Sequence, residues 1–491
     1  MFKTIIKTLA SNKTFTQVYY KVRQVKVNLN FQKPVSLSKS IIKDYNKSRK
    51  PLFIKNVCNA PFVSMFIGIG GNIGVCCYNR ELVLGSIYET RLSEAWFGDK
   101  LKSFRNKIKK CDFSSGCYLC KMQIEQSVHQ TLLARNYDEF NNTSKKYPQI
   151  IEFELSNKCN LECIMCSEVY SSKIEQNIKK GKISDNKLDE DAFLKQLKQF
   201  IPHFKKAKFS GGEPFLISIY YKIWELLIEL NPKCKIVIQT NGTILNEKIK
   251  KLLKEGNFNL SISVDSLQKD NFELIRRNGC FEEYYNNLFW FIDFCKQKDR
   301  FIGVSTCFMR QNWKEIPKIV TFCNLKQIPI TFNKVLHPPK CAIWGSPSQY
   351  IVEIENYLSK IILPKNNKIE YDNAVAYSEN LFQLEQWKNE ALLKEAVEHK
   401  YISLDVKDLE TLFVEKIASC LKLNYNDSVY ISNVISFIQE NLSIYRNELN
   451  YKVLLIELLN IPEEIIIREL SNNTESLIHQ QIASFLNKIK D

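Results

Sequence analysis

Three cysteines fall within eight residues in the stretch "CNLECIMC": Cys159, Cys163 and Cys166, spaced C-x3-C-x2-C. Thiolates are ligands for zinc and for iron–sulfur clusters, and a closed site of either kind takes four. Three leave one metal position open, where a small molecule can bind directly. The loop therefore points to a reactive iron–sulfur centre. The structural alternative is a zinc site that borrows a fourth ligand. Downstream comes "SGGEP" (Ser210–Pro214). Its two glycines allow close backbone approach to a ligand, and Glu213 offers a carboxylate acceptor suited to an ammonium group.

A second set of cysteines lies upstream. Cys58 stands alone, Gly71-x4-Cys76 has Cys77 beside it, and "CDFSSGCYLC" holds Cys111, Cys117 and Cys120. Glycines permit the tight turns of a cluster loop, and C-x2-C puts two thiolates on one local loop. Four well-placed thiolates make a closed site, either iron–sulfur or a zinc-stapled hairpin. The other seven cysteines (234, 280, 295, 307, 323, 341 and 420) are isolated and read mostly as buried free thiols. The five histidines form no ligand pattern; His337 ends the last strand of the run below.

The elements that must position these groups alternate. Strand patterns at 149–156, 207–211, 235–240, 259–265, 301–309 and 328–336 are separated by helical ones such as 189–201, 219–230 and 284–296. Six strands alternating with helices imply a parallel sheet of βαβ units, with ligands at the C-terminal strand ends. The three-cysteine loop follows the first strand and the Gly-Gly-Glu segment the second. Residues 350–491 read as helical with no chemical motif. The chain thus divides into a basic extension (1–50), a cysteine-rich segment (51–130), an α/β core (148–340) and a helical C-terminal region (350–491).

Composition bounds the rest. The chain has 491 residues, 45% hydrophobic and 25% charged, which is ordinary for a globular protein. No apolar run has the length of a membrane span, and nothing at the start reads as a secretory signal. Clustered cysteines without such a signal suit a reducing cytoplasm, where they bind metal or do chemistry. The charge is lopsided: residues 1–130 carry 22 Lys/Arg against 7 Asp/Glu, so this third could attract an anionic partner. A solvated lysine-rich surface explains the same excess. A transit peptide is disfavoured by the single arginine (Arg23) before residue 44.

The C-x3-C-x2-C loop after strand one and the Gly-Gly-Glu-Pro after strand two resemble the radical S-adenosylmethionine (radical SAM) superfamily. The resemblance implies a partial (β/α)6 barrel and a [4Fe–4S] cluster held by Cys159, Cys163 and Cys166. It implies that S-adenosyl-L-methionine chelates the open iron. Met165 would pack near the adenine. Gly211, Gly212 and Glu213 would orient the methionine amino group. Ser263 and Asp265 would contact the ribose and carboxylate, and Arg276 matches an arginine of two-cluster subfamilies. The upstream cysteines resemble the twitch or SPASM auxiliary-cluster domain, here placed N-terminal to the barrel: G-x4-C, a hairpin, a helix near the Trp of "EAWFG", then C-x2-C. That implies a second [4Fe–4S] cluster on Cys58, Cys76, Cys117 and Cys120, with Cys111 as a substitute and Cys77 as a free thiol. The implied activity is reductive cleavage of S-adenosylmethionine, with electrons from a low-potential donor. The resulting 5′-deoxyadenosyl radical would take hydrogen from a peptide or small-metabolite substrate, with the auxiliary cluster assisting an oxidation. RNA modification is disfavoured by the lack of an aromatic-plus-basic RNA-binding signature. A non-catalytic iron–sulfur or zinc protein is disfavoured by the intact open-iron loop.

Overall fold

The structure is a computed structural model that describes residues 37–49, 56–125, 132–140, 146–179, 188–335, 338–422, 428–443 and 451–459. His337 lies outside them. Residues 34–387 make one compact unit, and the helices from residue 388 onward belong to a second.

One sheet organises the first unit. Its strands are β1 (Ser64–Ile67), β2 (Asn72–Gly74), β3 (Gly85–Ser86), β4 (Ile150–Phe153), β5 (Lys206–Phe209), β6 (Lys235–Thr240), β7 (Phe258–Ser263), β8 (Ile302–Phe308) and β9 (Ile330–Lys334). Across the sheet they lie in the order β3-β2-β1-β4-β5-β6-β7-β8-β9. From β4 to β9 every neighbour is parallel and sequential. Right-handed crossovers in one direction put all helices on the same face, so the sheet curls into a partial barrel. The six strands read from the sequence are β4 to β9.

The register separates two faces. Phe153, Phe209, Ile238 and Leu260 align across four strands. Their face meets the crossover helices: Phe209 lies 5.5 Å from Trp224 of helix Ser218–Leu230. The opposite face is polar, with Glu152 beside Lys208, Ser263 beside Ser305, and Cys307 beside Asn333. A single apolar stripe per strand explains the alternation.

The cysteine-rich segment is part of this sheet. β1 pairs in parallel with β4, Ser64 opposite Ile150 through Ile67 opposite Phe153. β2 and β3 extend the edge as antiparallel strands. The helix read near the Trp starts earlier, at Leu92, and carries Trp96 in its last turn. Residues 37–49, the end of the basic extension, also belong here. Ser38 Oγ accepts from Ile41 N to cap helix Lys39–Lys47. The fully buried Arg49 guanidinium pairs with Asp138 at 2.6 Å.

The second unit, by itself, packs helices Val406–Lys422, Ser428–Ser443 and Tyr451–Leu459 around Leu409, Leu421, Val434 and Leu455. Among the described residues no helix is long and apolar enough to cross a membrane.

Candidate functional site

The three-cysteine loop leaves the C-terminal end of β4 and is tied down on three sides. Toward β5, the ladder continues past the strands: Ser210 N donates to Phe153 O, Gly212 N to Ser156 O and Glu213 N to Lys158 O, at 2.8–2.9 Å. Toward β6, Asn241 Nδ2 donates to Asn160 Oδ1 at 3.0 Å, and Asn160 Nδ2 to Thr243 Oγ1 at 2.9 Å. Toward the turn after β7, Glu162 N donates to Arg277 O and Ile164 N to Ile275 O. Ile164 packs with Ile275, Met309, Val335 and Cys341, and Met165 lies against that cluster.

The glycines serve this loop. Gly211 has φ +116°, and a Cβ there would sit 2.5 Å from Ser156 O. At Gly212 a Cβ would lie 2.2 Å from Lys158 O. Both positions need glycine because the cysteine loop's backbone passes that closely.

Glu213 is fully buried. Its Oε1 accepts from Thr240 Oγ1 (2.8 Å) and Phe215 N (3.2 Å), and its Oε2 from Asn241 N (2.8 Å). The carboxylate thus straps the end of β5 to the end of β6. Burial pushes its pKa up to about 7 against those donors. Sequence reasoning read Glu213 as an acceptor for an ammonium group and placed "QTNG" (239–242) at the end of a strand, but did not anticipate the strap that joins them.

Asp265 and Arg276 form a buried ion pair, Nη2 to Oδ2 at 2.6 Å. Asp265 Oδ1 also accepts from Cys307 N at 2.7 Å. Arg276 Nη1 points to Cys163 Sγ at 3.9 Å, while its neighbour Arg277 is exposed. Ser263 Oγ accepts from Gln239 Nε2 at 3.3 Å on the polar sheet face. Cys307, read as an isolated thiol, shares that face and neighbours Asp265, Arg276 and Cys163. Cys280, also read among the isolated thiols, is exposed.

The upstream set converges separately. Cys58, Cys76, Cys117 and Cys120 line one cavity, walled by apolar groups that include Val75, Phe113 and Leu133. Cys77 and Cys111 do not line it. Asn79, missed in the sequence, closes the arrangement: its buried Nδ2 donates to Cys117 Sγ (3.4 Å) and Ser115 O (2.7 Å). Among the described residues no three His, Cys, Asp or Glu side chains close around one ion.

Arg80 spans the two cysteine sets. It follows Cys77 in the chain and stacks over Phe66 of β1 at 5.0 Å. It lies 5.8 Å from the Tyr170 ring of the three-cysteine loop and pairs with Glu154 at 2.8 Å.

Burial holds the thiols protonated when no metal is bound. It pushes Cys58 and Cys163 up to about 12 and Cys76 up to about 11, and it raises Cys159 and Cys166 as well. Folded values above the unfolded value of about 8.5 stabilise the metal-free fold below that pH. That contribution is lost progressively as pH rises from about 8.5 through the folded values of about 11–12. The melting temperature of cluster-free protein should therefore fall between pH 8 and pH 10, while cluster-loaded protein changes less. Parallel curves for the two forms would contradict the burial of these thiols.

Residues 153–323 match the family model described as the radical SAM superfamily, and residues 58–121 match an iron–sulfur cluster-binding SPASM domain. A GTP 3′,8-cyclase of Clostridium perfringens (strain SM101 / Type A) is 24% identical over 196 residues, covering 39% of this chain and 57% of that protein. Molybdenum cofactor biosynthesis protein 1 of Dictyostelium discoideum is 29% identical over 152 residues, 31% of this chain and 22% of that one. The chain thus spans little more than half the length of the first of these relatives. Among solved structures, native anSMEcpe with bound AdoMet aligns with a TM-score of 0.34 at 18% identity, covering 43% of this chain and 60% of that one.

Proposed function

We propose that this chain, which carries a radical SAM domain preceded by a SPASM iron–sulfur domain, is an oxidising enzyme that acts on a peptide or small polar metabolite. The supporting observation is the pair of separate thiol sets, one offering three ligands and the other four, built onto one sheet. Cys159, Cys163 and Cys166 would hold a [4Fe–4S] cluster with one iron open to S-adenosylmethionine. Cys58, Cys76, Cys117 and Cys120 would close a second [4Fe–4S] cluster. When bound, these groups would supply radical hydrogen abstraction and an acceptor for the electron left behind.

The chain's own residues do the positioning. The Gly211–Gly212–Glu213 segment fixes the start of the three-cysteine loop, and the Ile275–Arg277 turn fixes its middle. Met165 and the apolar cluster beneath it keep water from one side of the loop. The polar face with Glu152, Lys208, Gln239, Ser263, Ser305 and Asn333 offers hydrogen bonds to a polar substrate. Tyr137 Oη donates to Glu152 at 2.5 Å, and Ser64 Oγ lies 3.4 Å from it, which holds that carboxylate in place beside Lys208.

The test is iron and acid-labile sulfide per chain after anaerobic reconstitution, with 5′-deoxyadenosine measured after adding reductant and S-adenosylmethionine. Wild type should hold about eight irons, and a variant with Ala at Cys159, Cys163 and Cys166 about four. Only wild type should release 5′-deoxyadenosine. About four irons falling to none, with zinc in the remaining site, would remove the electron acceptor and with it the oxidation.

A further inference from the structure

We infer that Arg276 is a positioning residue for the three-cysteine cluster: its guanidinium donates to the Cys163 sulfur and raises the potential at which the cluster takes an electron. The inference rests on the reading that Cys159, Cys163 and Cys166 hold that cluster.

Arg276 is the C-terminal cap of helix Lys269–Ile275, with its N–H bonded to Phe272 O at 2.7 Å. The backbone on either side of it grips the cysteine loop, Ile275 O accepting from Ile164 N and Arg277 O from Glu162 N. Asn278, at φ +69°, adds a side-chain bond to Glu162 at 3.0 Å. The arginine therefore cannot drift from the loop. Its side chain is 6% exposed and is held by Asp265, whose second oxygen is fixed by Cys307 N. With Nη2 committed to Asp265, Nη1 points to Cys163 Sγ at 3.9 Å, and the buried Nε–H has no hydrogen-bond partner among the described residues. A buried guanidinium that turns a donor toward a thiol, with another left unpaired, suits a neighbour that carries negative charge. A hydrogen bond from a charged donor to a cluster sulfur favours the reduced, more negative state, and hydrogen bonds to the sulfurs are among the factors that set cluster potentials.

The rival role is binding the carboxylate of S-adenosylmethionine. Redox titration of the reconstituted full chain, followed by the reduced cluster's paramagnetic resonance with no S-adenosylmethionine present, separates the two. The signal is first assigned by its loss in the variant with Ala at Cys159, Cys163 and Cys166. If that variant keeps it, the cluster lies elsewhere and both readings fall. With the signal assigned, Arg276→Gln should retain its iron and show a more negative midpoint potential. A wild-type potential in Arg276→Gln, with weaker S-adenosylmethionine binding alone, would overturn the inference. Should Arg276→Gln load no iron, Arg276→Lys is read by the same criterion. Lysine cannot pair with Asp265 and reach Cys163 at once, so its potential should also fall, and an unchanged value overturns the inference.

Discussion

Gly212→Ala is expected to empty the three-cysteine loop while leaving the upstream site filled. A Cβ at this position would lie 2.2 Å from Lys158 O and 2.6 Å from the Asn157 carbonyl carbon. Those atoms are backbone, so no rotamer change relieves the clash. The chain must shift where Glu213 N meets Lys158 O, one residue before Cys159. Cys163 and Cys166 cannot follow, because Ile164 and Glu162 are bonded independently to the turn at 275–277. Misplacement on the order of 1 Å at a reacting centre costs about 100-fold in rate. Iron should fall from about eight to about four per chain, the number one [4Fe–4S] cluster holds, and 5′-deoxyadenosine release should drop at least 100-fold. Retention of all the iron with wild-type release would show that the loop tolerates the shift and that the glycine serves something else.

The second large effect separates two adjacent cysteines. Cys76 lines the upstream cavity with Cys58, Cys117 and Cys120, whereas Cys77 lies among Glu152, Lys208 and Glu154. Cys76→Ala should remove about four irons, because a closed [4Fe–4S] site takes one thiolate per iron. Cys77→Ala should keep them. The opposite pattern would exchange the two ligands. Equal loss in both variants would mean that the doublet acts as one folded turn, to be checked by the thermal stability of each.

Much of the core was legible because its signals are local. The six parallel strands alternate or run apolar over four to eight residues, and the thiol spacings need no partner. β1 was not legible. It is four residues, "SMFI", all buried, with no alternation to mark it. Its partner β4 is remote in sequence, and no local pattern encodes that pairing. The same limit applied to Glu213, whose type suggests a ligand while its donors, Thr240 and Asn241, sit on another strand. Without the family resemblance, Arg276 and Arg277 would read as an exposed pair on a helix. The helix ends at Ile275, so one arginine turns inward and the other out. Cys307 looked bland because only the register of β7 and β8 places it beside Asp265.

The pairing of β1 with β4 also sets an order of events during synthesis. Ser64 opposes Ile150, 86 residues later in the chain. At about 5–20 residues per second, the N-terminal hairpin waits roughly 4–17 seconds for the strand that covers its open edge. All six upstream cysteines have been translated by then, and the three-cysteine loop follows β4 directly. Cells that load metal into this protein therefore meet the upstream thiol set seconds before the three-cysteine loop exists, on a nascent chain whose β-edge is still open.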